Sequence, residues 1–312
     1  MKALIYGLIL VLVASHSFQN DLQAGHGKQL NVSFSEGRLS VRFPDAENSL
    51  NICFASCGVN QIFAMERFEY YTSSSDQPKS AFNSGTDWIG PYFVRQAANK
   101  SENIRQQFTG GWHGSNGDGT GNPTAFTKST LVTANSKQVS ENFSGVCDSL
   151  KIEVINHIQG YDNNNTSILK ETVSYQVNPN KQIQVHVKIE ALEDIVIERY
   201  YGMQSVNFAL FDSVAYATPN SKINAAPVKT DSRCASNTNL NSIKLTGKTS
   251  KHFTKLTIDT SVGLGSFEHL GENLPKAFSA SYGKSYFNLV NGKDLFLNKG
   301  DSVCWQGTYE FQ

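Results

Sequence analysis

Apolar and polar residues alternate along most of the chain, and stretches with helical periodicity are few. Alternation of this kind predicts strands that bury one face and expose the other. Gly, Asn and Asp separate the alternating runs, which is typical of turns between antiparallel strands. The pattern therefore predicts an all-β protein, either a β-sandwich or a jelly roll of antiparallel strands. The runs are KQLNVSF, GRLSVRF, LKIEVINHIQ, KETVSYQV, QIQVHVKI, EDIVIERYY, HFTKLTIDT and DSVCWQGTYEF.

One hairpin can be followed residue by residue. The segment NPNK, residues 178–181, places Pro179 at the first central position of a type I turn between two alternating runs. A turn that pairs Asn178 with Lys181 also sets Glu171 opposite Lys188. An opposite-charge pair across two strands favours that register.

The alternation also assigns faces to the second strand of this hairpin and to the strand before the hairpin. A polar sheet face is either a solvated surface or, as is common in jelly rolls, a groove that binds glycans. In LKIEVINHIQ, His157 and Gln159 are predicted to lie on the polar side. In the second strand, Ile183, Val185, Val187 and Ile189 are predicted to face the core, and Gln184, His186, Lys188 and Glu190 the opposite side.

The start of the chain bears on its location. Lys2 precedes an apolar run that is too short to span a bilayer, so residues 1–17 are predicted to form a signal peptide. Residues 18–312 are then expected to be one secreted, extracellular β-sandwich domain, with an excursion or boundary at residues 221–241. The Ser-capped segment SENIRQQF, residues 101–108, is a candidate helix. Glycosylation sequons at Asn31, Asn99, Asn142, Asn164 and Asn165 indicate surface loops.

The charge and the apolar runs of the chain limit the kinds of partner that it is expected to bind. Lys and Arg total 27, as do Asp and Glu, so no nucleic-acid partner is expected. No later apolar run has membrane-spanning length, so no membrane partner is expected either.

Five cysteines in an exported chain predict disulfides. We expect at least one long-range disulfide among Cys147, Cys234 and Cys304, and Cys53 and Cys57 are a candidate local pair.

The stretch FTGGWHGSNGDGTGNPTAF, residues 108–126, places one Trp and one His among six glycines. Glycine permits left-handed backbone and close approach of neighbouring groups. In a structural interpretation, Trp112 anchors the loop on the sheet and carries His113 with it. In a functional one, Trp112 is a platform for a pyranose ring and His113 a general base or ligand. The functional interpretation predicts that the loop frames a groove beside the polar face that carries His157 and His186.

A metal site is a further candidate in the same loop, because oxygen-bearing side chains recur there at every second position, as in calcium loops. Only one of them is an acid, and no bidentate Glu follows. Calcium is therefore a candidate ligand, and no other motif requires a cofactor. No nucleophile elbow, zinc motif, phosphate loop or dinucleotide fingerprint occurs in the chain. The candidate calcium ligands are Asn116, Asp118, Thr120 and Asn122.

Two short motifs suggest a family. QVH, residues 184–186, and YYGMQ, residues 200–204, resemble the Q-[IV]-H and Y-F-K-A-G-x-Y-x-Q strands of jelly-roll polysaccharide lyases of the alginate-lyase type. In that family the His and the Tyr perform β-elimination on a uronate. The two motifs lie closer together here than in those lyases. The Lys and first Gly of the second motif are absent, as is the family's R-x-E-x-R strand.

The resemblance implies a reaction that removes the proton α to a uronate carboxylate. This chemistry needs a base, a group that neutralises the carboxylate, and an acid for the leaving oxygen. Trp88, Trp112 and Lys188 are candidates for substrate binding. The candidates for chemistry are His113, His157 and His186 as the base; Arg95 or Arg199, helped by Gln159 or Gln184, for the carboxylate; and Tyr161, Tyr175, Tyr200 or Tyr201 as the acid.

Two alternatives remain open from the sequence. A non-catalytic glycan-binding or adhesion protein would use exposed aromatic rings as stacking platforms. A glycoside hydrolase would use a carboxylate pair such as Glu66 with Glu69, or Glu190 with Glu193. The sequence therefore predicts a secreted carbohydrate-active protein whose partner is a polysaccharide or other glycan, with a polysaccharide lyase as the leading hypothesis.

Overall fold

The structure is a computed structural model, and it describes residues 29–43, 48–72, 80–83, 87–99, 105–206, 211–227, 230–234, 239–247 and 253–312. These ranges are almost wholly β, with one short 3-10 helix at Gly263–Ser266. The predicted all-β class is confirmed. The predicted signal peptide lies outside the described residues, as does the first half of the candidate helix, and residues 105–108 have no regular structure. No helix in the described ranges is long and apolar enough to cross a membrane.

The described strands are labelled here in chain order. They are β1 (Leu30–Ser35), β2 (Arg38–Phe43), β3 (Asn48–Cys57), β4 (Ile62–Thr72), β5 (Ser80–Asn83), β6 (Tyr92–Gln96), β7 (Ala125–Ala134), β8 (Lys137–Val139), β9 (Phe143–Cys147), β10 (Leu150–Gly160), β11 (Asn163–Asn178), β12 (Gln182–Ala191), β13 (Ile195–Tyr200), β14 (Gln204–Val206), β15 (Ser213–Thr218), β16 (Ser221–Pro227), β17 (Ser232–Arg233), β18 (Ser242–Thr246), β19 (Phe253–Ile258), β20 (His269–Leu270), β21 (Ala277–Ala280), β22 (Lys284–Phe287), β23 (Val290–Leu297) and β24 (Ser302–Phe311).

These strands form four sheets. A six-stranded sheet has the order β5-β4-β3-β2-β1-β9, and a ten-stranded sheet the order β16-β15-β18-β19-β24-β12-β11-β10-β7-β8. Two four-stranded sheets have the orders β20-β23-β13-β6 and β14-β22-β21-β17. Neighbouring strands are antiparallel apart from β20 and β23, which run parallel. The predicted excursion at residues 221–241 contains β16 and β17, which belong to different sheets.

The six-stranded and ten-stranded sheets pack together through their apolar faces. The Phe54 ring of β3 meets the Tyr175 ring of β11 edge-on, with centroids 5.2 Å apart. The Phe68 ring of β4 lies 5.4 Å from that of Phe311 on β24. Trp305, also on β24, is fully buried. The core of this sandwich is therefore aromatic, and aromatic side chains bury the most area per residue.

The predicted faces of β10 and β12 are confirmed. The four apolar positions of β12 are each at most 1% exposed, and Gln184, His186 and Lys188 lie on the exposed side. In β10, Asn156 points inward with its apolar neighbours, and His157 and Gln159 point outward. Period-two alternation was sufficient for these assignments because one face of the sheet is buried along its whole length.

The predicted hairpin register is wrong by one residue. Asn178 pairs with Gln182, not Lys181, so the loop has three residues. Lys181 adopts a left-handed backbone with φ of 59°. Three-residue hairpin loops commonly end in such a residue. Every pair is shifted as a result, and Glu171 lies opposite Ile189 on the core side.

The inward position of Glu171 creates a buried polar network. Its carboxylate accepts hydrogen bonds from Tyr92 Oη at 2.5 Å and Asn156 Nδ2 at 3.0 Å. Burial raises the pKa of Glu171 to about 7, although both hydrogen bonds act against the rise. The ring of Tyr92 stacks on Tyr200 with centroids 4.4 Å apart, and Tyr200 Oη accepts a hydrogen bond from Trp305 Nε1 at 2.8 Å. The network ties β6, β10, β11, β13 and β24 together.

The predicted disulfides are not formed in the structure, where none of the five cysteines is joined to another by a disulfide. Cys147 and Cys304 lie in different sheets, and Cys234 follows β17 in a third. Cys53 and Cys57 lie four residues apart on the single strand β3. Four strand residues span roughly 13 Å, too far for a disulfide to bridge.

Replacing Glu171 with Gln should flatten the pH dependence of stability. The folded-state pKa of about 7 lies above the unfolded value, so the stability linked to Glu171 is present at acidic pH and is lost as pH rises through about 7. Urea unfolding of the wild type should show a loss on the order of 3 kcal/mol between about pH 4.5 and pH 8, relative to the variant.

Glu153→Gln, at a partly exposed position of β10, is the matched control, and it should retain the wild-type pH profile. Parallel pH profiles for the wild type and Glu171→Gln would contradict the buried ionisation of Glu171.

Candidate functional site

The Gly-rich loop, residues 108–126, is held by buried polar groups. The backbones of Thr109 and Tyr92 exchange two hydrogen bonds of 2.9 Å. Asn60 Nδ2 donates to the carbonyl oxygens of Gly111 and His113, both at 2.9 Å. Asn60 Oδ1 accepts from the Thr124 backbone N–H at 2.6 Å. The side chain of Asn60 therefore connects residues near the two ends of the loop. No sequence pattern pointed to this residue.

The glycines around Trp112 are required by close packing. A Cβ at Gly58 would lie 2.5 Å from Trp112 Cδ1, and a Cβ at Gly119 would overlap the far edge of the indole. A Cβ at Gly111 would overlap a carboxylate oxygen of Asp87. Real Cβ atoms do not approach other atoms so closely. Trp112 is thus half-buried and packed between two glycines. This geometry favours the interpretation in which Trp112 anchors the loop over the one in which it is a platform for a sugar ring.

A buried carboxylate organises the other side of the loop. Asp87 has a side chain only 1% exposed. Its Oδ1 accepts a hydrogen bond from the Trp112 backbone N–H. Its Oδ2 lies 3.2 Å from His113 Nδ1 and 3.8 Å from Lys284 Nζ. Asp87 is therefore the common partner of the loop backbone, an imidazole and a buried ammonium.

The environment of Asp87 fixes its charge. Burial by itself would raise the pKa of Asp87, but His113, Lys284 and the Trp112 N–H outweigh burial and lower it. Burial lowers the pKa of Lys284 to about 8, against the attraction of Asp87. Asp87 lies beside Nδ1 of His113, so Nε2 is the ring nitrogen that does not contact this carboxylate. A carboxylate that orients an imidazole in this way is the arrangement of a general base.

Six aromatic side chains extend from His113 toward the surface, and we refer to them as the aromatic cluster. The Phe108 ring lies 5.4 Å from His113 and 5.6 Å from Tyr201. Tyr201 in turn lies 5.0 Å from Tyr286, whose hydroxyl is 2.7 Å from that of the exposed Tyr282. The cluster consists of Phe93, Phe108, Tyr201, Phe278, Tyr282 and Tyr286.

Arg199 lies at the edge of the aromatic cluster. Its guanidinium carbon is 4.7 Å from the centre of the Phe93 ring. Its Nε is buried and has no hydrogen-bond partner among the described residues, and no salt bridge of Arg199 occurs within them. Burial raises the pKa of Tyr201, while Arg199 acts to lower it. Three residues predicted for the reaction, His113, Arg199 and Tyr201, are thus linked through the rings of Phe108 and Phe93.

Other predicted site residues serve the fold. Trp88 is 3% exposed and packs on Phe68 in the core, where its ring centroid lies 4.5 Å away. Tyr175 and Tyr200 are likewise core residues. A wide aromatic ring suits a core as well as a sugar platform, so composition alone could not separate the two roles. These three residues are not available to a substrate.

Arg95 and Tyr161 belong to a third local network. Arg95 Nε donates to Glu198 at 2.8 Å, and Tyr161 Oη donates to the same carboxylate at 2.8 Å. The carboxylate pairs considered for a hydrolase are also engaged. Glu66, Glu69, Glu190 and Glu193 form ion pairs with Arg38, Arg67, Lys170 and Lys299 respectively.

The two histidines predicted beside the loop lie on the other side of the ten-stranded sheet. Gln184 and His186 line an open groove of about 700 Å³ on its outer face. His157 lies farther along that face, 5.5 Å from the exposed Phe126 ring. The loop, in contrast, contacts the inner face, where Gly110 meets Ile158. The predicted convergence of three histidines therefore does not occur.

The remaining predicted residues lie on the outer face of the sheet or contact the Gly-rich loop away from His113. Lys188 pairs with Glu190 at 3.3 Å on the outer face, and Gln159 donates its backbone N–H to Thr124. The candidate calcium ligands hydrogen-bond one another in the loop. Thr120 donates both its N–H and its hydroxyl to Asp118 Oδ1, and Asn116 Nδ2 donates to Thr120. Calcium binding by these residues stays a prediction.

Comparison with solved structures places this fold among known ones. No protein-family model matches the chain, and no curated protein matches it. The galactosidase domain of the alpha-galactosidase–sucrose kinase AgaSK is similar over 90% of this chain, with a TM-score of 0.50 and 10% identity. The match covers 41% of that chain, so the protein spans about two fifths of its length. This similarity establishes a shared fold.

Two further structures are similar at lower scores. The alpha-galactosidase from Lactobacillus brevis matches with a TM-score of 0.48 and 13% identity, over 90% of this chain and 40% of that one. The galactose 1-epimerase from Lactobacillus acidophilus matches with a TM-score of 0.39 and 11% identity, over 92% of this chain and 99% of that one.

The packing of Gly119 against Trp112 generates a test by double-mutant cycle. Gly119→Ala should lower the free energy of unfolding by about 1–3 kcal/mol, because the new methyl group overpacks against the indole. In a Trp112→Ala background the same change should cost far less. Denaturant unfolding of the four proteins measures the coupling.

Gly271→Ala is the matched control, since its Cβ would meet a flexible Leu274 methyl at 3.3 Å and backbone atoms at an ordinary contact distance of 3.6 Å. Additive costs for Gly119→Ala and Trp112→Ala would show that the indole does not require the glycine.

Proposed function

We propose that this protein acts on a glycan at the site formed by Asp87, His113, Arg199 and Tyr201. The observation that carries the proposal is the pairing of His113 with a buried carboxylate, on the same aromatic cluster as an arginine that has no carboxylate partner among the described residues. The fold is shared with a domain named as a galactosidase, which supports a carbohydrate as the class of ligand. The partly exposed aromatic cluster adds flat apolar surface of the kind that sugar rings pack against.

The reaction that suits this site is β-elimination on a uronate. Arg199 would neutralise the sugar carboxylate through its terminal N–H groups, which makes the α-proton more acidic. His113 Nε2 would remove that proton while Asp87 stabilises the imidazolium. Tyr201, whose pKa is raised by burial, is protonated near neutral pH and would donate its proton to the leaving glycosidic oxygen.

The step balances within the substrate and these side chains. The α-carbon loses its proton to His113, and the electron pair forms a carbon–carbon double bond as the bond to the glycosidic oxygen breaks. Tyr201 supplies the proton to that oxygen and is reprotonated by solvent. The products are an unsaturated uronate and a free saccharide end, and no cofactor or metal is consumed.

A non-catalytic glycan-binding protein is the second candidate. It is favoured by the aromatic cluster itself, because Tyr282 is 67% exposed and hydrogen-bonds the neighbouring Tyr286. Export from the cell, as predicted from residues 1–17, is part of both proposals, because polymeric glycans are met outside the cell. The glycoside hydrolase hypothesis has less support, since the carboxylates considered for it are ion-paired.

His113→Gln provides the test. Incubated with a panel of uronate polymers, the wild type should release products that absorb in the ultraviolet through their conjugated double bond. The variant should lose about 10²-fold or more in kcat while binding the polymer with similar affinity, because it lacks only the base.

His157→Gln is the matched control, since His157 lies on the outer face of the sheet, and it should retain wild-type turnover. Binding of uronate polymers without any increase in absorbance would leave the non-catalytic proposal standing and reject the lyase.

A further inference from the structure

The groove on the outer face of the ten-stranded sheet is a second candidate binding site. It holds about 700 Å³ and crosses the outward positions of β11, β12, β24 and β19. The side chains along it form two rows, fixed by strand register. Neighbouring strands lie about 4.8 Å apart, so each row presents a polar group at that interval. The first row is Gln176, Gln184, Thr308 and Thr257, and the second is Ser174, His186 and Gln306.

Most of the residues that line the groove have polar side chains, and its two charged residues, Lys151 and Asp259, are of opposite sign. Burial lowers the pKa of His186, so its imidazole is neutral at neutral pH. The carboxylate of Asp259 is already engaged by Gln306 Nε2 at 2.7 Å and by Ser261. Lys151, at one end, pairs with Glu153 at 3.3 Å. The groove therefore offers amides, hydroxyls and an imidazole, which both donate and accept hydrogen bonds.

The wall of the groove is held in place before any ligand arrives. Asn241 donates its backbone N–H to Ala217 and accepts one from Ile258. The turn that follows β19 is fixed by Asp259, whose N–H donates to the Gln306 carbonyl at 3.0 Å. A preformed wall reduces the ordering entropy lost on binding.

The groove is separate from the site at Asp87 and His113. Alternation along β11 sends Ser174 and Gln176 to the outer groove. It sends Glu171 and Val173 to the inner side, where they line a small cavity with Asp87 and Trp112. The sheet itself lies between the two places, so one sugar residue cannot contact both. A ligand of the groove is not a ligand of the proposed catalytic site.

We propose that this groove is a second glycan site, which binds an uncharged saccharide segment through its hydroxyl groups. Side-chain amides match vicinal sugar hydroxyls, since each amide offers a donor and an acceptor. The lack of an available cation disfavours a uronate or phosphate here, in contrast to the site with Arg199. The inference extends the proposed function from one glycan contact to two, and the groove would hold a neutral part of the polymer while the other face holds an acidic part.

The test is a titration of the full chain with neutral hexaoses, followed by amide NMR and calorimetry. The probes are hexaoses of β-1,4-glucan, α-1,4-glucan, β-1,4-mannan and β-1,4-galactan, with a uronate hexamer for comparison. At least one neutral hexaose should shift resonances of β11, β12 and β24. The double variant Gln176→Met/Gln184→Met should weaken its binding at least tenfold, because methionine keeps the side-chain length and removes the hydrogen bonds.

Lys188→Met is the matched control, because this exposed residue lies on β12 but does not line the groove. It should bind like the wild type, as should His113→Gln. Failure of all neutral hexaoses to shift the groove, or equal affinity of the double variant, would overturn the proposal. Tighter binding of the uronate hexamer to the groove would also overturn it. Because the affinity is measured with His113→Gln as well, absence of lyase activity would not affect the result.

Discussion

The buried carboxylate of Asp87 is the constraint on which the candidate site depends. A charge removed from water is costly unless several donors surround it. Asp87 meets that requirement with the Trp112 N–H, the His113 imidazole and the Lys284 ammonium. Lys284 is equally buried and begins β22 of a four-stranded sheet. Asp87 therefore connects the Gly-rich loop to that sheet, and its removal would take away the carboxylate that lies 3.8 Å from a buried ammonium.

The composition of the loop follows from this arrangement. Gly111 has no Cβ because the Asp87 carboxylate occupies that space, and Gly119 has none because the Trp112 ring does. Gly110 and Gly111 also adopt left-handed backbone, with φ of 74° and 53°. Ordering so many glycines costs conformational entropy, and the anchored indole together with buried Asn60 offsets that cost. Glycines that first suggest an open, mobile loop here permit a tightly packed one.

The sequence predicted features that depend on residues close together in the chain, and it missed those that depend on contacts between distant residues. Alternation gave the class and the faces of β10 and β12, since these depend only on neighbouring residues. It missed the hairpin register, because nothing in the alternation reveals that Lys181 adopts a left-handed backbone. The sequence also led to the wrong prediction that His113 lies beside His186, although the sheet separates them. The pattern of a single strand reveals its polar face, but it does not reveal where a distant loop packs. Asp87 and Lys284 were missed for the same reason, as they are far apart in the chain.

The ten-stranded sheet thus has two chemically different sides. Its inner face carries the aromatic core, Glu171 and the contacts of the Gly-rich loop, while its outer face carries a neutral polar groove. In our proposals, an acidic sugar binds at the site with Arg199 and an uncharged one binds in the groove. This division arises from the alternation of buried and more exposed residues along 169–177 of β11 and along β12.

The central claim is that Asp87 orients His113 with its Nδ1 proton directed at the carboxylate. Nitrogen-15 NMR of the imidazole in the wild type and in Asp87→Asn measures this most directly. The account predicts that neutral His113 carries its proton on Nδ1 in the wild type, and that the variant shows a mixture of the two tautomers. A wild-type ring protonated on Nε2 would contradict the account, because the atom assigned as the base would then already hold a proton.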